Sequence, residues 1–224
     1  MNLSAFALLI ALPFSVAKGP VDPNPVVGVA KIFAFYEAPM SVPPVDEKAE
    51  TNETRASLTG HCFIQIRNTS GSPMTVGHVV LSNSQSVTIG AWPATDFIDP
   101  DESGMWYNRE SWDTYGWSSL ESYSLSVPLR DLGLGVLNTY LSNSSHDVYW
   151  IPTFTCANFA VGSWNSLLHG SSQAYTHSLT NPSLGLPSQV KSEIGGISGY
   201  SVNASYSTAS WSGYVNQSGN YVAW

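Results

Sequence analysis

Hydrophobic and polar positions alternate along three short runs, Cys62 to Arg67, Thr75 to Leu81 and Ser86 to Trp92. Turn-forming stretches, Asn68 to Pro73 and Ser82 to Gln85, separate them, a pattern that predicts an antiparallel meander. Tyr123 to Val127 alternates in the same way. The period then changes: Pro128 opens a predicted amphipathic helix carrying Leu129, Leu132, Val136, Leu137, Tyr140 and Leu141, despite the weakening glycines Gly133 and Gly135. A second helix follows the aromatic run Tyr149 to Phe154. Its apolar face holds Cys156, Phe159, Ala160, Ser163, Trp164, Leu167 and Leu168, with Thr155 as N-cap and Gly170 as stop. Pro187 to Ile194 reads as a short third helix. Strands followed by helices predict an α+β fold, an antiparallel sheet packed against the helix that begins at Cys156.

The flanks are of a different character. Residues 1–17 hold the apolar run Phe6 to Leu12 and then Ser15-Val16-Ala17, which reads as a secretory signal lacking the usual basic residue before the run. That run is too short to span a bilayer, so no stable membrane insertion is expected. Residues 18–56 are proline-rich and end in the charged stretch Asp46 to Glu50; within them Val26 to Tyr36 reads as one strand and the rest as linker. The ordered domain is expected from about Ser57, spanning 57–200, with residues 93–119 as a Trp- and Tyr-rich loop region. Residues 201–224, rich in Ser, Tyr, Gly and Asn, read as an irregular hairpin or a partly ordered tail.

Composition narrows the function. A chain of 224 residues with 43% hydrophobic content supports one substantial core. A net charge of −8 disfavours phosphate backbones and anionic lipid, which sets nucleic-acid binding aside. The two cysteines, Cys62 and Cys156, admit two readings in an exported protein. They can form a disulfide. Alternatively Cys156, in the first turn of a helix, can be a nucleophile, because the free N–H groups and positive end of the macrodipole favour a thiolate there. His61, behind Gly60 at the mouth of a strand, is the candidate base. His146, His169 and His177 lie in or beside Ser, Asn and Gly-rich stretches, and none has metal-ligand spacing with a second histidine or cysteine; no metal and no cofactor is expected. The rings of Trp106, Tyr107, Trp112, Tyr115 and Trp117 suggest a platform for sugar, acyl or peptide groups, with Asn108 and Glu110 supplying hydrogen bonds, although core packing and turn structure explain such residues too.

Four blocks carry a resemblance: Gly60-His61-x-Phe63-Ile64, Val87-Thr88-Ile89-Gly90-x-Trp92, Gly104-x-Trp106-Tyr107-Asn108-x-Glu110, and Thr155-Cys156-x-x-Phe159-Ala160-x-x-x-Trp164-Asn165. With histidine first and cysteine second, the chain resembles the circularly permuted branch of the papain-like cysteine hydrolases, which includes NlpC-like cell-wall peptidases and the lecithin-retinol acyltransferase type, and within it a group of exported bacterial proteins. The resemblance implies a permuted papain-like fold, Cys156 as nucleophile, His61 as base, and a third polar group on the strand after the histidine strand. His78 is the first candidate for that group; Thr88, Asn108 and Glu110 are the others. The relatives have a small residue where this chain has Cys62, which makes Cys62 a core substitution facing away from His61.

The expected function is that of an exported cysteine hydrolase, secreted or in the cell envelope. It would cleave amide bonds in peptidoglycan stem peptides or in a protein through a thioester, with an oxyanion hole at the helix start. The alternative is a non-catalytic secreted module that binds glycan or protein, in which Cys62 and Cys156 are crosslinked.

Overall fold

The strand expected within the proline-rich segment forms as Val26–Phe35, and it is the central strand β1. The computed structural model describes residues 22–36, 60–92, 104–111, 120–143, 155–183, 185–216 and 218–223. β1 pairs on one side with β2 (His61–Asn68) and on the other with β7 (Ser122–Arg130), both antiparallel. The domain therefore begins well before Ser57. Its alternating small and branched residues explain why: Ala30, Ile32 and Ala34 point to one face and Phe33 and Phe35 to the other, and all are buried.

β5 (Ser86–Trp92) lies on the far side of β2, and β6 (Gly104–Tyr107) lies beyond it. β9 (Gly213–Val215) and β10 (Tyr221–Ala223) extend that edge, while β8 (Ser201–Val202) pairs with β7 at the other. The order is β10-β9-β6-β5-β2-β1-β7-β8, with every pairing antiparallel. The predicted meander is corrected in one respect. The run Thr75 to Leu81 breaks at Gly77 and His78 into β3 (Met74–Val76) and β4 (Val79–Leu81), a separate two-stranded sheet inserted between β2 and β5. The residues after 200 supply three strands, and the hairpin expected there is β9–β10.

Pro128 does not open a helix. It is paired with Val29 inside β7, beyond the point where β8 stops pairing with β7, so its missing N–H costs no rung on that side. Helix α1 (Asp131–Leu141) starts only after Arg130, and Asn24 accepts from the Leu132 N–H at 2.9 Å in place of a local cap. Its buried face is Gly133, Leu134, Leu137 and Leu141, while Leu132 is exposed. Gly133 marks a close crossing, since a Cβ there would lie 2.2 Å from the Leu167 carbonyl oxygen of α2 (Cys156–Leu167). A short turn of helix, α3 (Ala174–His177), and α4 (Pro187–Gly195) follow. The last agrees with the helix expected at Pro187.

The helices cover one face of the sheet. Cys62, Ile64, Ile66, Val87, Ile89, Leu125 and Val127 pack there with Phe159, Trp164 and Ile194. On the other face Phe33, Phe35, Phe63, Trp92 and Trp106 form a second aromatic cluster, closed by Ala204, Tyr206 and Tyr214. The fold is α+β, as expected. Among the described residues no helix is long and apolar enough to cross a membrane.

Candidate active site

Cys156 is the first residue of α2, and the structure explains why the helix starts there. Thr155 is extended, its Oγ1 accepts from the Ala157 N–H at 3.2 Å, and Asn158 Oδ1 accepts from the Thr155 N–H at 3.1 Å, a reciprocal capping box. Thr155 Oγ1 also donates to the Gly185 carbonyl at 2.6 Å, and Asn158 Nδ2 donates to the Pro182 carbonyl at 2.9 Å. The segment before α4 thereby holds the start of α2. Cys156 is half-buried and Cys62 is buried, and both are free thiols. The crosslink that the binding-module alternative requires is therefore not formed. Cys62 packs among the core residues between sheet and helices. Burial, then the neighbouring Cys156, push its thiol pKa well up, which makes it unreactive.

His61 opens β2 and is 5% exposed. Its Nε2 meets Glu110 Oε1 at 3.3 Å, and the Cys156 side chain acts on the ring from the start of α2. Burial disfavours the imidazolium, but the neighbouring Cys156 and Glu110 side chains outweigh it and raise the His61 pKa to about 9. The nucleophile and base candidates are thus brought together, with a carboxylate behind the base.

Glu110 reaches that place by a tight backbone route. After β6 ends at Tyr107, Asn108 takes φ 59°, a left-handed conformation that asparagine tolerates, and residues 109–111 form one 3-10 turn. Asn108 Oδ1 accepts from the Thr88 N–H at 3.1 Å, and its Nδ2 donates to the Trp211 carbonyl at 2.9 Å. The Glu110 carboxylate is 1% exposed. It accepts a short hydrogen bond from the Thr88 hydroxyl and another from Trp92 Nε1 at 3.1 Å, besides facing His61. The Trp92 ring lies against the imidazole, with centroids 4.1 Å apart and planes at 42°.

Two sequence expectations require correction. His78 is not the group behind His61: it sits exposed in the turn between β3 and β4, where its backbone N–H donates to the Tyr107 hydroxyl at 3.0 Å. The predicted platform is not a surface either. Trp106, Tyr107 and Asn108 are fully buried, and Glu110 nearly so. Trp106 packs on the back of the sheet between Tyr214, at 4.9 Å, and the Arg109 guanidinium, at 4.3 Å. Tyr107 faces the helices and meets Tyr221 edge-on. A ring closed in on both sides has no face left to stack on a substrate. Trp112, Tyr115 and Trp117 lie outside the described residues.

The contribution of Trp92 and Gly90 escaped sequence reading. The signal was present, because Thr88, Gly90 and Trp92 alternate on one face of β5, beside the histidine strand. A Cβ on Gly90 would stand 2.5 Å from Glu110 Oε1 and 3.2 Å from both His61 Nε2 and Trp92 Nε1, so the site has no room for any side chain there.

Comparison with models of protein families, with curated proteins and with solved structures returns no match to this chain.

Proposed function

We propose that this chain is a cysteine hydrolase of permuted papain-like type, with Cys156 as nucleophile, His61 as base and Glu110 as the group that orients the imidazole. The observation that carries the reading is the array itself: a half-buried thiol on a capped helix start, beside a buried histidine whose Nε2 is held by a buried carboxylate. With Nε2 turned to Glu110, Nδ1 is the nitrogen that serves the sulfur. His61 takes the thiol proton and the thiolate attacks an acyl carbon. The imidazolium then protonates the leaving amine, and water, deprotonated by the same nitrogen, releases the acid from the thioester.

The helix start provides for the charge that develops on the carbonyl oxygen. Thr155 caps the Ala157 and Asn158 N–H groups. The Cys156 N–H, which has no acceptor within its own helix, is left to donate to an oxyanion. The resemblance favours amide bonds of peptidoglycan stem peptides or of a protein as substrates, and the apolar run at residues 6–12 favours action outside the cytoplasm, in the secreted or cell-envelope fraction.

The test is release of fragments from purified peptidoglycan and from a peptide library. Wild type is expected to cleave one of them and Cys156→Ala to lose cleavage with its circular dichroism spectrum unchanged. Cleavage that survives Cys156→Ala would remove the proposal.

A further inference from the structure

We propose that Trp92 is a positioning residue that sets the tautomer of His61, an assignment that rests on the reading of Cys156 and His61 as nucleophile and base. An indole N–H can only donate. Trp92 Nε1 is directed at Glu110 Oε1, at 3.1 Å, so that oxygen must be an acceptor: a proton placed on it would face another N–H. The same oxygen is 3.3 Å from His61 Nε2. Nε2 must therefore carry a proton, and a neutral His61 keeps its basic lone pair on Nδ1, the nitrogen that has to accept from the thiol.

Thr88 cannot impose this by itself. Its hydroxyl donates to the other carboxylate oxygen, so by itself it does not fix Oε1 against Nε2. Without the indole N–H, Oε1 is no longer held against Nε2, the preference for a proton on Nε2 weakens, and a share of the neutral ring carries its proton on Nδ1, where it cannot act as base for the sulfur. Trp92 is 5% exposed, and its ring covers one face of the imidazole, so both handles act out of reach of bulk water. Among the described residues, the titratable groups facing His61 are Glu110 from the 3-10 turn and Cys156 from α2, while the Arg109 guanidinium lies over the far partner, the Trp92 ring, at 5.0 Å.

Trp92→Phe removes the N–H and keeps a ring; benzothienylalanine incorporated at position 92 removes it with the indole shape preserved, and replaces Trp92→Phe should that variant misfold. The tautomer is read by nitrogen-15 spectra of His61 in a Cys156→Ala background, which removes the strongest influence raising the imidazole, at a pH where the spectra show the ring neutral. With Trp92 present, Nε2 is expected protonated and Nδ1 bare; without the N–H, a fraction of the ring is expected in the opposite tautomer. With Cys156 intact, alkylation of Cys156 by iodoacetamide at pH 7 is expected to fall about tenfold, because the imidazolium is no longer held in place beside the sulfur by the Trp92–Glu110 pair, the equivalent of one lost hydrogen bond of about 1.4 kcal/mol. An unchanged tautomer and rate overturn the assignment. A His61→Ala control separates the two layers: a slower reaction in His61→Ala with none in the position-92 variants sinks the role of Trp92 alone, whereas an unchanged rate in His61→Ala sinks the underlying reading and the assignment with it.

Discussion

Between the end of β6 and the 3-10 turn, the left-handed Asn108 decides where Glu110 points, and Gly90 decides whether it fits. Neither is chemically active. Gly90→Ala adds one methyl 2.5 Å from Glu110 Oε1, against a carboxylate already fixed by Thr88 and Trp92. We predict that it lowers stability by about 1–3 kcal/mol, the usual cost of overpacking, and lowers turnover as Glu110→Ala does. Glu110→Gln, which keeps the shape and the acceptor toward Trp92, should fold normally yet lose activity, because the charge that favours the imidazolium is gone; steady-state rates beside urea melts of the variants check both. Cys156 and His61 were legible in the sequence because a helix start and a strand mouth leave local signatures. The third member was less so: position on a neighbouring strand favoured His78, whereas the carboxylate arrives through a single positive-φ residue and three residues of 3-10 turn, which no periodicity announces.

At the scale of elements, α2 was legible to within a residue at its start, since Thr155 as N-cap, the apolar face and Gly170 all agree. α4 was marked by its proline. The misses have a common cause, because proline was read as a local breaker where the sheet decides its meaning. β1 was assigned to a domain-free segment because its neighbours are proline-rich, and Pro128 was given to a helix although it occupies a strand position without a ladder partner on its outer side. The capping arrangement of α2 gives a prediction of its own. Thr155→Ala removes the acceptor for the Ala157 N–H and the donor to the buried Gly185 carbonyl, and should cost about 1–2 kcal/mol, a fall of roughly 2–8 °C in Tm. Thr155→Ser keeps both bonds and should stay close to wild type. A larger drop in Thr155→Ser than in Thr155→Ala would show that the methyl group, not the hydroxyl, holds the helix start.

Across the whole molecule, the sheet separates two environments and the site draws on both. The helix-covered face supplies the Cys156 thiol, while the back face supplies the Glu110 carboxylate and its aromatic housing. The segment after β8 crosses that back face: Gln65 donates to the Ser207 carbonyl at 2.6 Å and the Tyr206 hydroxyl to the Glu110 carbonyl at 3.3 Å. The stretch read as an irregular hairpin or a partly ordered tail is part of the support for Glu110. The central claim is that His61 acts on the Cys156 sulfur, since the neighbouring Cys156 and Glu110 side chains together raise the imidazole to about 9 against the effect of burial. Below that pH the imidazolium persists beside the sulfur, the setting in which a cysteine reacts fastest as a nucleophile. The direct measurement is the pH dependence of iodoacetamide alkylation, with the modified residue located by mass spectrometry, in wild type and His61→Ala. We predict labelling at Cys156 and not at Cys62, rapid already at pH 6–7 in wild type, and in His61→Ala appearing only as the pH approaches that of a free thiol. Labelling of Cys62 in preference to Cys156, or identical profiles for the two proteins, would contradict the account.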